Sequence, residues 1–106
     1  RSKTLMPAYM IVTAKISDRD AFIQGYGAAA GALVEKMGGK YLLRAPGAEL
    51  LEGDFGAGAS MVISEWPDRG AAQAFWNSAE YQEVKKLREG IADCQVLLIE
   101  GAKING

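Results

Sequence analysis

The first strand-like run of the chain, Tyr9 to Ile16, is apolar on both parities: Met10, Val12, Ala14 and Ile16 fall on one side, Tyr9 and Ile11 on the other. The run from Val96 to Ile99 also lacks a polar side. An antiparallel strand with one wet face alternates apolar with polar, so both runs need cover on two faces. Between them the period changes. Phe22, Tyr26, Ala29, Ala30, Leu33 and Met37 share one helical stripe; Ser17 is the expected N-cap with Asp20 three residues on, and Gly38 and Gly39 are the stop, which predicts a helix over 18–37. Lys40 to Ala45 and Ala59 to Trp66 read as the second and third strands. Their long connection runs through Pro46, Gly47, Gly53, Gly56 and Gly58 and has room for β-structure of its own. Asp68 caps a helix to Asn77 with Ala71, Ala74 and Phe75 inside, and Ser78 restarts it with Tyr81, Val84, Leu87 and Ile91 inward. Cys94 to Glu100 is the fourth strand.

The order β-α-β-β-α-β is the ferredoxin-like split motif: an α+β fold whose antiparallel sheet carries both helical regions on one face. Two helical regions cover one face only. The other is expected to meet a second copy of the chain, giving a homodimer through the open sheet face with a barrel-like interior. Residues 7–102 read as the single domain, 1–6 as an N-terminal extension and 103–106 as a C-terminal tail. Gly25, Gly27 and Gly31 fall inside the first helix, each costing about 1 kcal/mol relative to Ala, which predicts a close approach by a neighbour or ligand. Their spacing does not fit a strand-to-helix phosphate turn, so dinucleotide binding is rejected.

Composition narrows the chemistry. The 106 residues, 49% hydrophobic and 24% charged, suit one core. With 12 basic and 13 acidic side chains the net charge is −1, and no Lys/Arg run is present, so neither nucleic acid nor a membrane surface is an expected partner. No apolar stretch approaches the roughly 20 residues of a membrane span and no leader pattern opens the chain, which points to the cytoplasm. The lone Cys94 cannot form an intrachain disulfide and reads as core filler. There is no histidine, which removes imidazole-activated nucleophiles, His-ligated haem and mixed His/carboxylate zinc sites. Catalysis has to rest on carboxylates, tyrosines, arginines, lysines or an imported cofactor; no tightly held cofactor and no metal site is expected, although an acidic oxygen-ligand site stays compatible with the composition.

Several polar residues stand on otherwise apolar elements. Arg44 shares a parity with Leu42, so its guanidinium either pairs with a carboxylate or faces a cavity and binds an anionic ligand. Glu52 and Asp54 flank Gly53 and are either general acid/base groups or solvated loop acids. Glu65 ends an apolar strand and could pair with Arg44 or Arg88. Tyr26, Trp66, Trp76 and Tyr81 form an aromatic group at the helix/sheet boundary, either core or the wall of a concave site. Arg88, next to Leu87, is a second candidate anion binder, and Ser78 reads as a cap.

Taken in order, Tyr26, Gly38 and Gly39, Arg44, the run Leu51, Glu52, Gly53, Asp54 and Phe55, then Glu65, Trp66 and Pro67, Phe75 to Ser78, Glu80 with Tyr81, and Leu87 with Arg88 resemble the domain of unknown function 1330 family over Pro7 to Gly101. The resemblance implies the dimeric α/β-barrel superfamily and the same dimer, and it implies no established reaction. The chain departs from the family pattern in its small residues beside Tyr26, in Phe55 and in Asn77, which removes one carboxylate. The expected function is a homodimeric small-molecule-binding protein, in its catalytic form a cofactor-independent enzyme for a small anionic or aromatic metabolite. Tyr26, Arg44, Glu65 and Asp54 are then the catalytic candidates, and Arg44, Trp66, Trp76, Tyr81 and Arg88 the ligand-binding ones. The alternative is a non-catalytic ligand-binding or stress-associated structural dimer.

Overall fold

Strand β1, Ala8–Ile16, is rich in β-branched residues and supplies the two-sided apolar surface around which the sheet assembles. The computed structural model describes residues 6–102; the expected extension up to residue 5 and the 103–106 tail lie outside the described residues. Strands β2 (Lys40–Ala45), β3 (Ser60–Trp66) and β4 (Ala92–Glu100) join β1 in a four-stranded antiparallel sheet of order β2-β3-β1-β4. Helix α1 covers 19–36, α2 is Arg69–Trp76, and α3 is Ala79–Lys85, followed by a 3₁₀ turn, Lys86–Arg88. This is the expected ferredoxin-like α+β order, with the last strand starting two residues earlier than the pattern suggests.

Register sorts the sheet into two surfaces. Ala8, Met10, Val12 and Ala14 pair with Trp66, Ser64, Val62 and Ser60, and on the other side with Glu100, Leu98, Val96 and Cys94. Met10, Ala8 and Trp66 on this surface are buried with Tyr26, Ala30, Leu33, Val34, Ala72, Phe75 and Tyr81 from the helices. On the opposite surface Tyr9, Ile11 and Thr13 pair with Glu65, Ile63 and Met61, and with Ile99, Leu97 and Gln95. Among the described residues no helix packs there, and Leu97 and Ile99 stay 58% and 55% exposed.

The helices begin and end for local reasons. Asp18, not Ser17, caps α1, accepting from the Ala21 N–H at 3.1 Å; Ser17 instead ties the end of β1 to Ile91 through its N–H and hydroxyl. Asp68 caps α2 and Ser78 caps α3 as expected, through the N–H groups of Ala71 and Tyr81. Asn77 and Ser78 separate α2 from α3, the predicted break. The inner stripe of α2 is shifted: Ala72 and Phe75 are buried, whereas Ala74 is exposed, and Leu87 is 48% exposed because the chain has tightened into a 3₁₀ turn there. The 46–59 connection contains no strand; reciprocal bonds Ala48 N–H to Ala59 O and Gly58 N–H to Ala48 O close its base at 3.0 and 2.8 Å.

Helix α1 is not uniform. Between the α-helical segments Arg19–Ala21 and Ala28–Lys36, Phe22–Gly27 forms a π-helix. A Cβ on Gly27 would stand 3.4 Å from the Phe22 carbonyl oxygen, inside the wide turn, while one on Gly25 would touch nothing. At Gly31 a Cβ would be in ordinary contact with the Tyr41 ring at 3.6 Å, and the tightest approach is outside the helix at Gly39, where a Cβ would come within 2.7 Å of the Trp66 indole. Trp66 is 1% exposed and donates its indole N–H to Ser64 Oγ at 3.0 Å, so it cannot retreat. Gly39→Ala is therefore expected to lower stability by about 1–3 kcal/mol, the usual penalty for overpacking, read as a reduced midpoint in urea unfolding.

Candidate functional site

Strict alternation along β2 would put Arg44 on the side of Lys40 and Leu42, away from the helices. It does not land there. Tyr41 pairs with Ser64, but Leu43 pairs with Ile63 and Arg44 with Val62, so Leu42 is an extra residue in a β-bulge. The bulge reverses parity for the rest of the strand, and Tyr41 and Arg44 come to share the helix-facing surface. The Arg44 guanidinium lies 5.5 Å from the centre of the Tyr41 ring.

Both residues line a cavity of about 440 Å³ between α1 and the sheet. Its walls are largely apolar, built by Met10, Val12, Phe22, Val34, Val62 and Phe75. At one end stand Arg44, Pro46, Ser60 and Arg19, whose guanidinium donates to Ser60 Oγ at 3.1 Å; at the other stand Ser64, Tyr26 and Tyr81. Ser60 and Ser64 mark the two ends along β3, about 13 Å apart at roughly 3.3 Å per residue. A second, more open groove of about 860 Å³ runs between the later part of α1 and edge strand β2 and is floored by Gly31, Gly39 and exposed side chains.

The inner end holds the polar centre. Tyr26 and Tyr81 approach to 2.7 Å between hydroxyl oxygens, and Arg88 Nη1 donates to Tyr26 Oη at 3.4 Å while its guanidinium lies 5.2 Å from the centre of that ring. The i, i+4 spacing of Phe22 and Tyr26 in the π-helical segment stacks their rings 5.2 Å apart, and Phe75 packs on Tyr81 at 4.6 Å. Burial drives the Tyr26 phenol far above its ordinary value of 10.0, helped by Tyr81 and opposed by Arg88. Burial also raises Tyr81 and Tyr41, with Arg88 and Arg44 respectively pulling the other way. Both groups at the inner end are therefore neutral hydrogen-bonding phenols at physiological pH. Cys94 sits on the same sheet surface, its thiol raised by burial and lowered by the nearby Arg88.

The residues singled out in the sequence separate into two groups. Tyr26, Tyr81 and Arg44 line the cavity, and Arg88 stands behind Tyr26. Glu65 is on the opposite surface, where Tyr9 donates to it at 3.4 Å, because it is one residue out of phase with Ser64 and Trp66; it does not converge with Arg44. Asp54 and Glu52 are exposed in the 46–59 connection. Trp66 is inside the core against Phe75, and Trp76 flanks Tyr81 from outside with the Lys85 ammonium 4.9 Å from the centre of its ring; neither lines the cavity. Sequence reasoning missed Arg19, Tyr41 and Ser64. Tyr41 and Arg44 carried a signal in their aromatic and basic character three residues apart, but only a bulge brings them to one face. Among the described residues no cluster of three or more Cys, Asp or Glu is placed to hold a metal ion, and no helix is long and apolar enough to cross a membrane.

The model of a domain of unknown function, DUF1330, matches residues 7–102. The chain belongs to the DUF1330 family. Comparison with curated proteins gives no match. Among solved structures, this DUF1330 chain resembles a protein of unknown function from Rhodopseudomonas palustris, at 21% identity and a TM-score of 0.73 over 92% of this chain and 84% of that one. It also resembles SnoaB, a cofactor-independent oxygenase from Streptomyces nogalater, at 12% identity and a TM-score of 0.66 over 92% and 95% of the two chains. At these identities the likeness establishes a shared fold.

The buried phenols give the protein an alkaline weakness. Above pH 10 the unfolded chain ionises Tyr26, Tyr41 and Tyr81 while the folded chain resists, so stability present below that pH is lost as pH rises. Urea unfolding at a series of pH values from about 9 to 11 should show a falling midpoint, and Tyr26→Phe should make that fall shallower.

Proposed function

We propose that this DUF1330 protein is a homodimer that binds a small, aromatic or apolar metabolite bearing an acidic group in the cavity between α1 and the sheet. The observation that carries the reading is the cavity itself: about 440 Å³, within the range of small-molecule sites, with apolar walls and Arg44 turned into it by the bulge. Arg44 anchors the acid through a charge-assisted contact, Arg19 adds a second positive charge at that end, and Tyr26 and Tyr81 meet the far end of the ligand. No carboxylate among the described residues lines the cavity, which favours binding over acid/base turnover. The likeness to an oxygenase that works without a cofactor favours a second reading, an enzyme acting on such a metabolite, with Tyr26 as the proton-bearing group. A cytoplasmic location fits the lone thiol of Cys94. Calorimetric titration with 2-naphthoate is the direct test. Saturable binding at one site per chain is expected, weakened roughly tenfold or more in Arg44→Ala; equal affinity in the variant, or no binding at all, would overturn the reading.

The homodimer is supported by the sheet surface that no helix covers. Leu43, Leu97 and Ile99 are exposed there beside Ile11 and Ile63, a contiguous apolar patch of the kind that marks a protein contact. Pairing two such surfaces about a two-fold axis buries each against its own copy. Sedimentation equilibrium should give the mass of two chains for the wild type and of one for Leu97→Asp, which sets an unpaired charge in the middle of the contact. A wild-type mass of one chain would remove the dimer from the proposal.

A further inference from the structure

The two phenols at the inner end of the cavity carry one more proton than they have acceptors for. At 2.7 Å, one O–H···O bond joins Tyr26 and Tyr81, whichever donates. Arg88 donates to Tyr26 Oη and, as a guanidinium, accepts nothing. Two hydroxyl protons are thus present and one is used, and among the described residues no further acceptor reaches either oxygen. The contact with Arg88 draws electron density from Tyr26, making its O–H the better donor, so Tyr26 gives its proton to Tyr81 and the Tyr81 proton is left over. Tyr81 is among the residues lining the cavity, with 2% of its surface exposed, and the cavity is where an acceptor for that proton is to be sought.

We infer that Tyr81, polarised through Tyr26 by Arg88, donates a hydrogen bond to a carbonyl oxygen of the bound molecule, and that the ligand class is an apolar-bodied keto acid with its ketone at the end opposite its acid. The inference rests on the cavity being the ligand site. Tyr81 is the contact residue; Tyr26 and Arg88 position and strengthen its donor. Burial of both phenols keeps the donor proton in place at physiological pH. The apolar wall between Arg44 and Tyr81 accounts for the body of the molecule, and Ser60 and Ser64, at the two ends of the cavity along β3, give the distance over which its two polar groups are spread.

The test uses two probes of equal shape, 6-acetyl-2-naphthoate and 6-isopropenyl-2-naphthoate, which share the acid and ring system and differ in whether the far end accepts a hydrogen bond. Wild-type protein is expected to bind the ketone roughly tenfold more tightly, the worth of one hydrogen bond, and to shift its carbonyl stretch to lower wavenumber. Tyr26→Phe should keep a reduced preference, because the Tyr81 hydroxyl remains but loses its polarising chain. The double variant Tyr26→Phe/Tyr81→Phe should bind both probes equally; thermal melts confirm that each variant is folded. If neither probe binds wild type, the cavity reading falls and this one with it. If both bind equally well to wild type, if the carbonyl stretch does not move, or if the double variant keeps the preference, the donor assignment alone is overturned.

Discussion

Alternation along antiparallel strands decides which side chains can meet in this protein. Every residue of β1, β3 and β4 is committed to one surface or the other by its pairing, and the commitment is shared across the sheet: Met10 lies beside Ser64 and Leu98, Tyr9 beside Glu65 and Ile99. A single residue of phase separates Trp66, sealed in the core, from Glu65 on the far surface. Among the described residues the rule is broken at Leu42, and the break has a chemical result, since it delivers a guanidinium to a cavity with largely apolar walls.

Helix α1 answers to the same geometry from above. Its π-helical segment widens the turn over the cavity and places Phe22 and Tyr26 as neighbouring rings, while Gly27 leaves the space that the wider turn requires. The polar end of the cavity is then closed by groups from four separate elements: Tyr26 from α1, Tyr81 from α3, Arg88 from the following turn and Ser64 from β3. Apolar packing holds these groups in place, with the Phe22, Phe75 and Trp76 rings against the two phenols. Desolvation keeps the phenols neutral, and the Arg88 guanidinium sets a positive charge beside them.

Much of this was legible in the chain. The apolar parities of Tyr9 to Ile16 gave the central strand and the uncovered surface, and Asp68 and Ser78 marked their helices because a side-chain cap is a local signal. Tyr26, Tyr81, Arg44 and Arg88 were identifiable as polar or aromatic residues on apolar elements. The grouping was not legible. Arg44 with Glu65 is a sensible pair by charge, yet the sheet puts them on opposite surfaces, and no local pattern announces a bulge at Leu42. Arg19 lay hidden in a helix start, where a basic residue carries no sign that it will reach Ser60 forty-one positions away. Trp66 looked like a site residue because large aromatics serve both purposes; the structure places it in the core, packed closely over Gly39 and off the cavity wall.

The clasp between Ala48 and the Gly58–Ala59 backbone isolates everything threaded between those positions from the sheet. Residues 49–57 can be lengthened, shortened or replaced without shifting the pairing of β2 with β3, because the cost of a longer closed loop rises only slowly with its length. That makes this segment a ready port for grafting a reporter peptide or affinity tag close to the cavity mouth while the four strands keep their pairing.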